Sequence, residues 1–174
     1  MSLIKELTEA DPELQGNKEL LQQLVQTISR YKNDLILPAQ ALKRAHTPEE
    51  QRFAIWYERY QKQMSAYNAL DFDDLILLPT LLLKTNAEVR EQWQNRIRYL
   101  LVDEYQDTNA LQDALYRCLA SPAGDDLFLV GDLKQSIYRF RLADPTIFLE
   151  KYLAYRDAAE AEDGQPRRVL LSQN

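Results

Sequence analysis

Leu100-Leu101-Val102-Asp103-Glu104-Tyr105-Gln106-Asp107-Thr108-Asn109 is an apolar run that stops on two adjacent carboxylates. A run of this kind reads as a buried parallel strand, and open α/β sheets bind their ligands beyond the carboxyl ends of the strands. Asp103 and Glu104 stand at that end. One carboxylate there suits Mg²⁺, a hard cation that keeps much of its water, and a second can orient the attacking water in phosphoryl transfer. A solvated acidic turn after a core strand would use the same residues, so the pair by itself leaves two readings open.

A second apolar run, Leu127-Phe128-Leu129-Val130, leads into Gly131-Asp132-Leu133-Lys134-Gln135-Ser136-Ile137-Tyr138-Arg139-Phe140-Arg141. Gly131 permits a sharp turn or a close backbone approach. Gln135 can donate to a phosphate and accept from a water. The following stretch interleaves rings with guanidinium groups, which can stack on bases and hold phosphates. Ile137, Tyr138 and Phe140 would equally serve as core contacts of a short helix.

Together the two motifs resemble the UvrD/Rep family of superfamily 1 DNA helicases, in which a DEYQD strand-end motif is followed by VGD-x-x-QSIY. The matching residues are Val102 to Asp107 and Val130 to Tyr138. Asn68 to Ile76 and Trp93 to Tyr99 look Rep-like as well. Residues Arg139 to Phe148 look more like the AddA subunit of helicase-nucleases, a change that fits either a chimera or a divergent member. The resemblance implies that Asp103 coordinates Mg²⁺, Glu104 activates the hydrolytic water, and Gln135 senses the γ-phosphate of ATP and couples it to the DNA groove. It also makes Tyr138, Phe140 and Arg141 the DNA-binding candidates, with Phe140 standing where the family more often has tryptophan. The activity implied is ATP-dependent 3′-to-5′ movement on single-stranded DNA.

None of the four glycines, Gly16, Gly124, Gly131 and Gly164, begins the G-x-x-x-x-G-K-[ST] phosphate loop of such a motor. The chain therefore reads as an interior slice of a helicase whose partners include the missing helicase domains. By itself it is expected to bind neither Mg²⁺ nor ATP and to turn over no nucleotide. A non-catalytic, partner-binding or engineered scaffold derived from the same fold is the competing class. An incomplete parallel sheet would also expose an edge, through which copies could pair.

The composition suits a folded chain of 174 residues with net charge −6. That charge works against DNA binding by the whole surface. The local cluster of Lys134, Arg139 and Arg141 predicts weak, salt-sensitive binding at most. No apolar run approaches the roughly 20 residues of a membrane span, and the start shows no secretory pattern, so the expected location is cytoplasmic. A lone Cys118 rules out an internal disulfide. His46 has no evident ligand partner.

The fold class expected is α/β: a helical subdomain over residues 1–70, resembling the helicase 1B insert, followed over 71–174 by part of a RecA-like P-loop NTPase sheet with crossover helices. Asn17 caps a predicted helix through Leu20, Leu24 and Ile28. Thr47-Pro48-Glu49-Glu50 is a capping box with proline, opening a helix whose stripe of Phe53, Trp56, Tyr57, Tyr60, Met64 and Tyr67 reads as core. Asp71, Asp73 and Asp74 read as helix-start acids at the head of a helix to Thr85, ahead of another over residues 86–95. Strands are expected over residues 97–102, 127–130 and 168–171, with helices over 110–120 and from Asp144-Pro145 onward.

Overall fold

The computed structural model describes residue 6, residues 11–135 and residues 142–171. The chain divides into two compact units, Met1–Leu78 and Pro79–Asn174. The division falls inside a helix, where Pro79 supplies no N–H to the helical ladder.

The first unit is built from α1 (Lys18–Asn33), α2 (Pro38–Arg44), α3 (Pro48–Ala66) and the opening of α4 (Asp74–Thr85). Local chemistry accounts for the helix ends. The Asn17 side chain accepts from the Leu20 amide at the head of α1. At α3 the Thr47 hydroxyl accepts from the Glu50 amide while the Glu50 carboxylate accepts from the amides of His46 and Thr47, the reciprocal cap expected from the sequence. Those backbone donors hold the exposed Glu50 carboxyl below its ordinary pKa. Both α1 and α3 end with a residue in the left-handed region, Leu35 (φ 57°) and Asn68 (φ 49°). In each case the next two amides fold back onto the last turn, Leu35 and Ile36 to the carbonyls of Lys32 and Tyr31, Asn68 and Ala69 to those of Ser65 and Met64.

The core of this unit joins Leu14, Leu24, Ile28 and Ala41 to Phe53, Ala54, Trp56, Tyr57, Tyr60 and Met64. Burying each large side chain contributes about 1.5–3 kcal/mol, and the rings add geometry: Tyr31 stacks on Tyr57 at 5.7 Å, and Phe53 meets Trp56 edge-on at 5.5 Å. Tyr67, the last of the predicted stripe, is exposed. It lies at the C-cap of α3, beyond the last helical turn.

A buried cation organises the entry into α4. The Lys32 ammonium, on α1, is fully buried and donates to Asp71 (2.6 Å) and Asp74 (2.7 Å). Tyr60 donates to the same Asp71 oxygen at 2.9 Å, and Asn33 donates to Asp73 at 2.9 Å. Asp71 and Asp74 also accept from each other's amides. The predicted capping role holds for Asp71 and Asp74, with an ion pair to Lys32 added to it. Burial pushes the Asp71 carboxyl up, but the hydrogen bonds from Lys32 and the Asp74 amide outweigh it and hold the pKa below the usual carboxylate range.

The second unit contains the remainder of α4, then α5 (Ala87–Gln94), β1 (Leu100–Val102), α6 (Ala110–Leu119), β2 (Leu127–Leu129), α7 (Pro145–Ala154), β3 (Arg156–Asp157) and β4 (Arg167–Arg168). Asn86, Asn109 and Asp144 cap α5, α6 and α7. β1 and β2 run parallel in the register Leu100↔Leu127, Leu101↔Phe128, Val102↔Leu129, with α6 between them in sequence. This β-α-β arrangement places the chain in the α/β class. The strands are shorter than the apolar runs suggest, because Ile97 to Tyr99 lie outside the pairing.

The strand expected at residues 168–171 is displaced. Arg167 and Arg168 pair instead with Arg156 and Asp157 in a separate parallel ladder, where Arg168 is held by the Asp157 carboxylate and the Tyr152 carbonyl. These polar bonds fix the register, and the apolar Val169, Leu170 and Leu171 are left exposed.

Candidate functional site

Parallel pairing brings the two motifs to the same end of β1 and β2. The ladder continues past the strands: the Val130 amide donates to the Val102 carbonyl, and the Tyr105 amide donates to the Val130 carbonyl, both at 2.8 Å. Asp103 and Glu104 thus leave the end of β1 beside the point where Gly131 to Gln135 leaves the end of β2. Both acids are exposed. Glu104 adopts φ 53° and ψ 35°, a left-handed conformation costly to a residue with a Cβ. One Asp103 oxygen accepts from the Glu104 amide at 2.9 Å and supports that turn.

The turn is anchored underneath. Tyr105 is buried, packs edge-on against Phe148 of α7 and donates its hydroxyl to Asp113 of α6. Asp113 also accepts from Lys151 (2.9 Å) and Arg117 (2.7 Å). Burial raises the Asp113 pKa, but the bonds from Tyr105 and Lys151 overcome it and keep the carboxyl below its usual range. Burial, and then the Asp113 carboxylate, push the Tyr105 phenol upward, so it stays a donor. Further along, the Asp144 amide donates to the Thr108 carbonyl, fixing the start of α7 to the end of the motif.

Gln106, which the motif reading passed over, bridges the two strand-end segments. It is 2% exposed. Its Nε2 donates to Glu104 Oε2 at 2.6 Å, and its Oε1 accepts from the Asp132 amide at 3.1 Å. Asp132 in turn accepts from Gln135 Nε2 at 3.2 Å. Gly131 belongs to the same contact: a Cβ there would come within 2.7 Å of Gln106 Oε1 and 3.2 Å of the Gln106 amide nitrogen. This close approach, rather than a positive φ, is what calls for glycine. A glutamine between a buried tyrosine and a surface aspartate was the available signal.

Of the residues singled out from the sequence, Asp103, Glu104 and Gln135 lie at this strand end, whereas Tyr138, Phe140 and Arg141 lie outside the described residues. Among the described residues there is no group of three or more His, Cys, Asp or Glu placed to hold a metal. One or two hard carboxylate oxygens completed by water and phosphate is nonetheless how Mg²⁺ is commonly held. Asp103 engages one oxygen in the turn, and its exposure leaves the side chain able to serve such an ion. The donor set therefore fits Mg²⁺ bound together with a phosphate ligand. No described helix is long and apolar enough to cross a membrane.

Acids at the carboxyl ends of a parallel pair stand where open α/β sheets bind their ligands. The family profile of the UvrD/REP helicase N-terminal domain matches residues 1–156, and the chain belongs to that family. It is 54% identical over 145 residues to the ATP-dependent DNA helicase Rep of Salmonella typhimurium, a match covering 83% of this chain and 21% of that protein. The Rep helicase of Escherichia coli K12 is 52% identical over the same length, with the same coverage. The ATP-dependent DNA helicase PcrA of Staphylococcus aureus is 42% identical over 147 residues, covering 84% of this chain and 19% of PcrA. The chain thus spans about a fifth of the length of the curated relatives it matches.

Proposed function

We propose that the chain is the strand-end catalytic segment of an ATP-dependent DNA helicase that couples ATP hydrolysis to 3′-to-5′ movement on single-stranded DNA. Asp103 holds Mg²⁺, Glu104 takes the proton of the attacking water, and Gln135 contacts the γ-phosphate. Bound Mg²⁺-ATP would supply the phosphorus centre at which that water is directed. The carrying observation is the parallel register of β1 and β2, which sets the Asp103-Glu104 turn beside the Gly131-Gln135 turn and joins them by hydrogen bonds. Tyr138, Phe140 and Arg141 remain the proposed contacts to single-stranded DNA. An ATP-driven DNA motor of this kind works in the cytoplasm.

On this reading the 174 residues alone bind no Mg²⁺-ATP and hydrolyse none, since no phosphate-loop sequence is among them. Calorimetry with Mg²⁺-ATP on this chain, with Asp103→Ala as control, tests the point. Binding that depends on Asp103 would show that the strand-end site works without the loop. The catalytic assignment is tested by exchanging these residues into an intact Rep helicase, where Glu104→Gln lowers kcat by roughly 10²–10⁴-fold. Retained turnover would remove Glu104 as the base, and an intact helicase carrying these residues that hydrolysed no ATP would leave the scaffold reading in its place. In isolation we also infer pairing between copies through the unpartnered sheet, which sedimentation at increasing concentration would reveal.

A further inference from the structure

We propose that Gln106 is a positioning residue that couples Gln135 to Glu104, so that displacement of the Gly131-Gln135 turn by a bound phosphate reorients the water-activating carboxylate. This deepens the proposed function and rests on its assignment of Glu104 as the base. The geometry is a continuous relay. Gln135 donates to Asp132, the Asp132 amide donates to Gln106, and Gln106 donates to Glu104.

The orientation of the carboxamide follows from its partners. Rotated by half a turn, it would set its oxygen against the Glu104 carboxylate and its NH₂ against the Asp132 N–H, two repulsions in place of two bonds. Burial makes each arm costly to leave unpaired. Glu104 is otherwise exposed and sits in a strained backbone conformation. Among the described residues Gln106 is the only side chain that donates to its carboxylate. The Gln106 oxygen sits where a Cβ at position 131 would be, so glycine is what lets the carboxamide reach the Asp132 amide, and movement at Asp132 is passed through that carboxamide to Glu104.

Two substitutions separate the arms. Gln106→Leu removes both, whereas Gln106→Glu keeps an acceptor for the Asp132 amide but sets a carboxylate against Glu104. Hydrogen exchange at the Asp132 amide, read by NMR on this chain, should accelerate about fivefold in Gln106→Leu and by no more than about twofold in Gln106→Glu, which keeps the acceptor but loses the far arm. It should accelerate about twofold in Glu104→Ala, which loosens the relay from its far end. Should Gln106→Leu fail to fold, the other two variants decide. In an intact Rep helicase carrying these residues, Gln106→Glu should lower kcat about 10²-fold while the KM for ATP stays within about twofold. An Asp132 amide indifferent to both Gln106→Leu and Glu104→Ala overturns the coupling. So does an unmoved kcat in Gln106→Glu when Glu104→Gln abolishes turnover. Turnover that survives Glu104→Gln instead removes the catalytic reading, and the exchange data then judge the relay alone.

Discussion

The helical unit buries the aromatic stripe of α3 from Phe53 to Tyr60, whereas the second unit leaves the facing apolar pair of its parallel ladder exposed. In the first, Trp56, Tyr57, Leu24 and Leu14 are almost wholly covered, and even the charged Lys32 is enclosed with its partners. In the second, the facing pair Leu101 and Phe128 of β1 and β2 is 70% and 58% exposed, and Glu104 holds a conformation that favours glycine. The difference follows from architecture. Helices can close a core by turning their stripes toward one another, whereas a parallel sheet is built to be covered on both faces. The densest burial lies in one unit, and the strand-end acids lie in the other.

The largest break in that comparison should come from Lys32→Met, which leaves the fully buried Asp74 carboxylate without its cation. Removing one partner of a buried pair costs about 3–5 kcal/mol, and urea unfolding should show the loss in the helical unit. If the second unit lost as much, the two would not be separable in stability. Acid should act in the same direction. Asp71 and Asp113 both have pKa values below their ordinary ones, so their contribution is fully present above the unfolded carboxylate value of about 3.9 and disappears as the pH falls through the folded values. Thermal unfolding should be nearly flat from about pH 7 to pH 5 and decline below about pH 4. A decline beginning near neutrality would assign the stabilisation to other groups.

Gly131→Ala sharpens the contrast from the other side. The added Cβ meets the Gln106 carboxamide and its backbone nitrogen, an overpacking that costs about 1–3 kcal/mol. The loss should fall on the second unit and be accompanied by faster exchange at the Asp132 amide. Normal stability with normal exchange would mean that the strand-end turn has slack the geometry does not suggest.

Legibility in the sequence followed the range of the interaction. The capping residues Asn17, Thr47 and Asp144 were readable because each cap spans only two or three residues. The strand-end acids were readable because a strand's direction fixes where its last residues point. Lys32 was not, since its meaning depends on acids about 40 residues away, and a lysine one turn from Ile28 reads as a surface residue. Gln106 was hidden for the same reason: its partner Asp132 lies on another strand-end segment. The final strand was misplaced because the apolar run Val169 to Leu171 outweighed two arginines in the pattern, whereas Arg168 has its polar partners in Asp157 and Tyr152.

A smaller gain is expected at the end of α3. Asn68 is exposed with φ 49°, and glycine removes the residual strain of that position at the cost of a more flexible unfolded chain. Asn68→Gly should raise the stability of the helical unit by a few tenths of a kcal/mol, about 0.3, read as a shift in the urea midpoint with the slope unchanged. A loss would show that the asparagine contributes more than its backbone conformation.

The smallest effect is the most diagnostic. Leu101→Ser combined with Phe128→Thr removes two large apolar side chains, a change that in the helical core would cost several kcal/mol, on the order of 2–5 for each. Here most of their surface already faces solvent, and threonine suits a strand. The double variant should therefore stay within about 0.5 kcal/mol of the parent chain in urea, while its sedimentation becomes less concentration-dependent. A large loss of stability in dilute, monomeric protein would show that this face is covered in solution and would erase the difference between the two units. Neutral stability with weaker association would locate the cost of an unpartnered sheet in its encounters with other copies, leaving the fold of the second unit to the Tyr105-Asp113-Lys151 anchor beneath it.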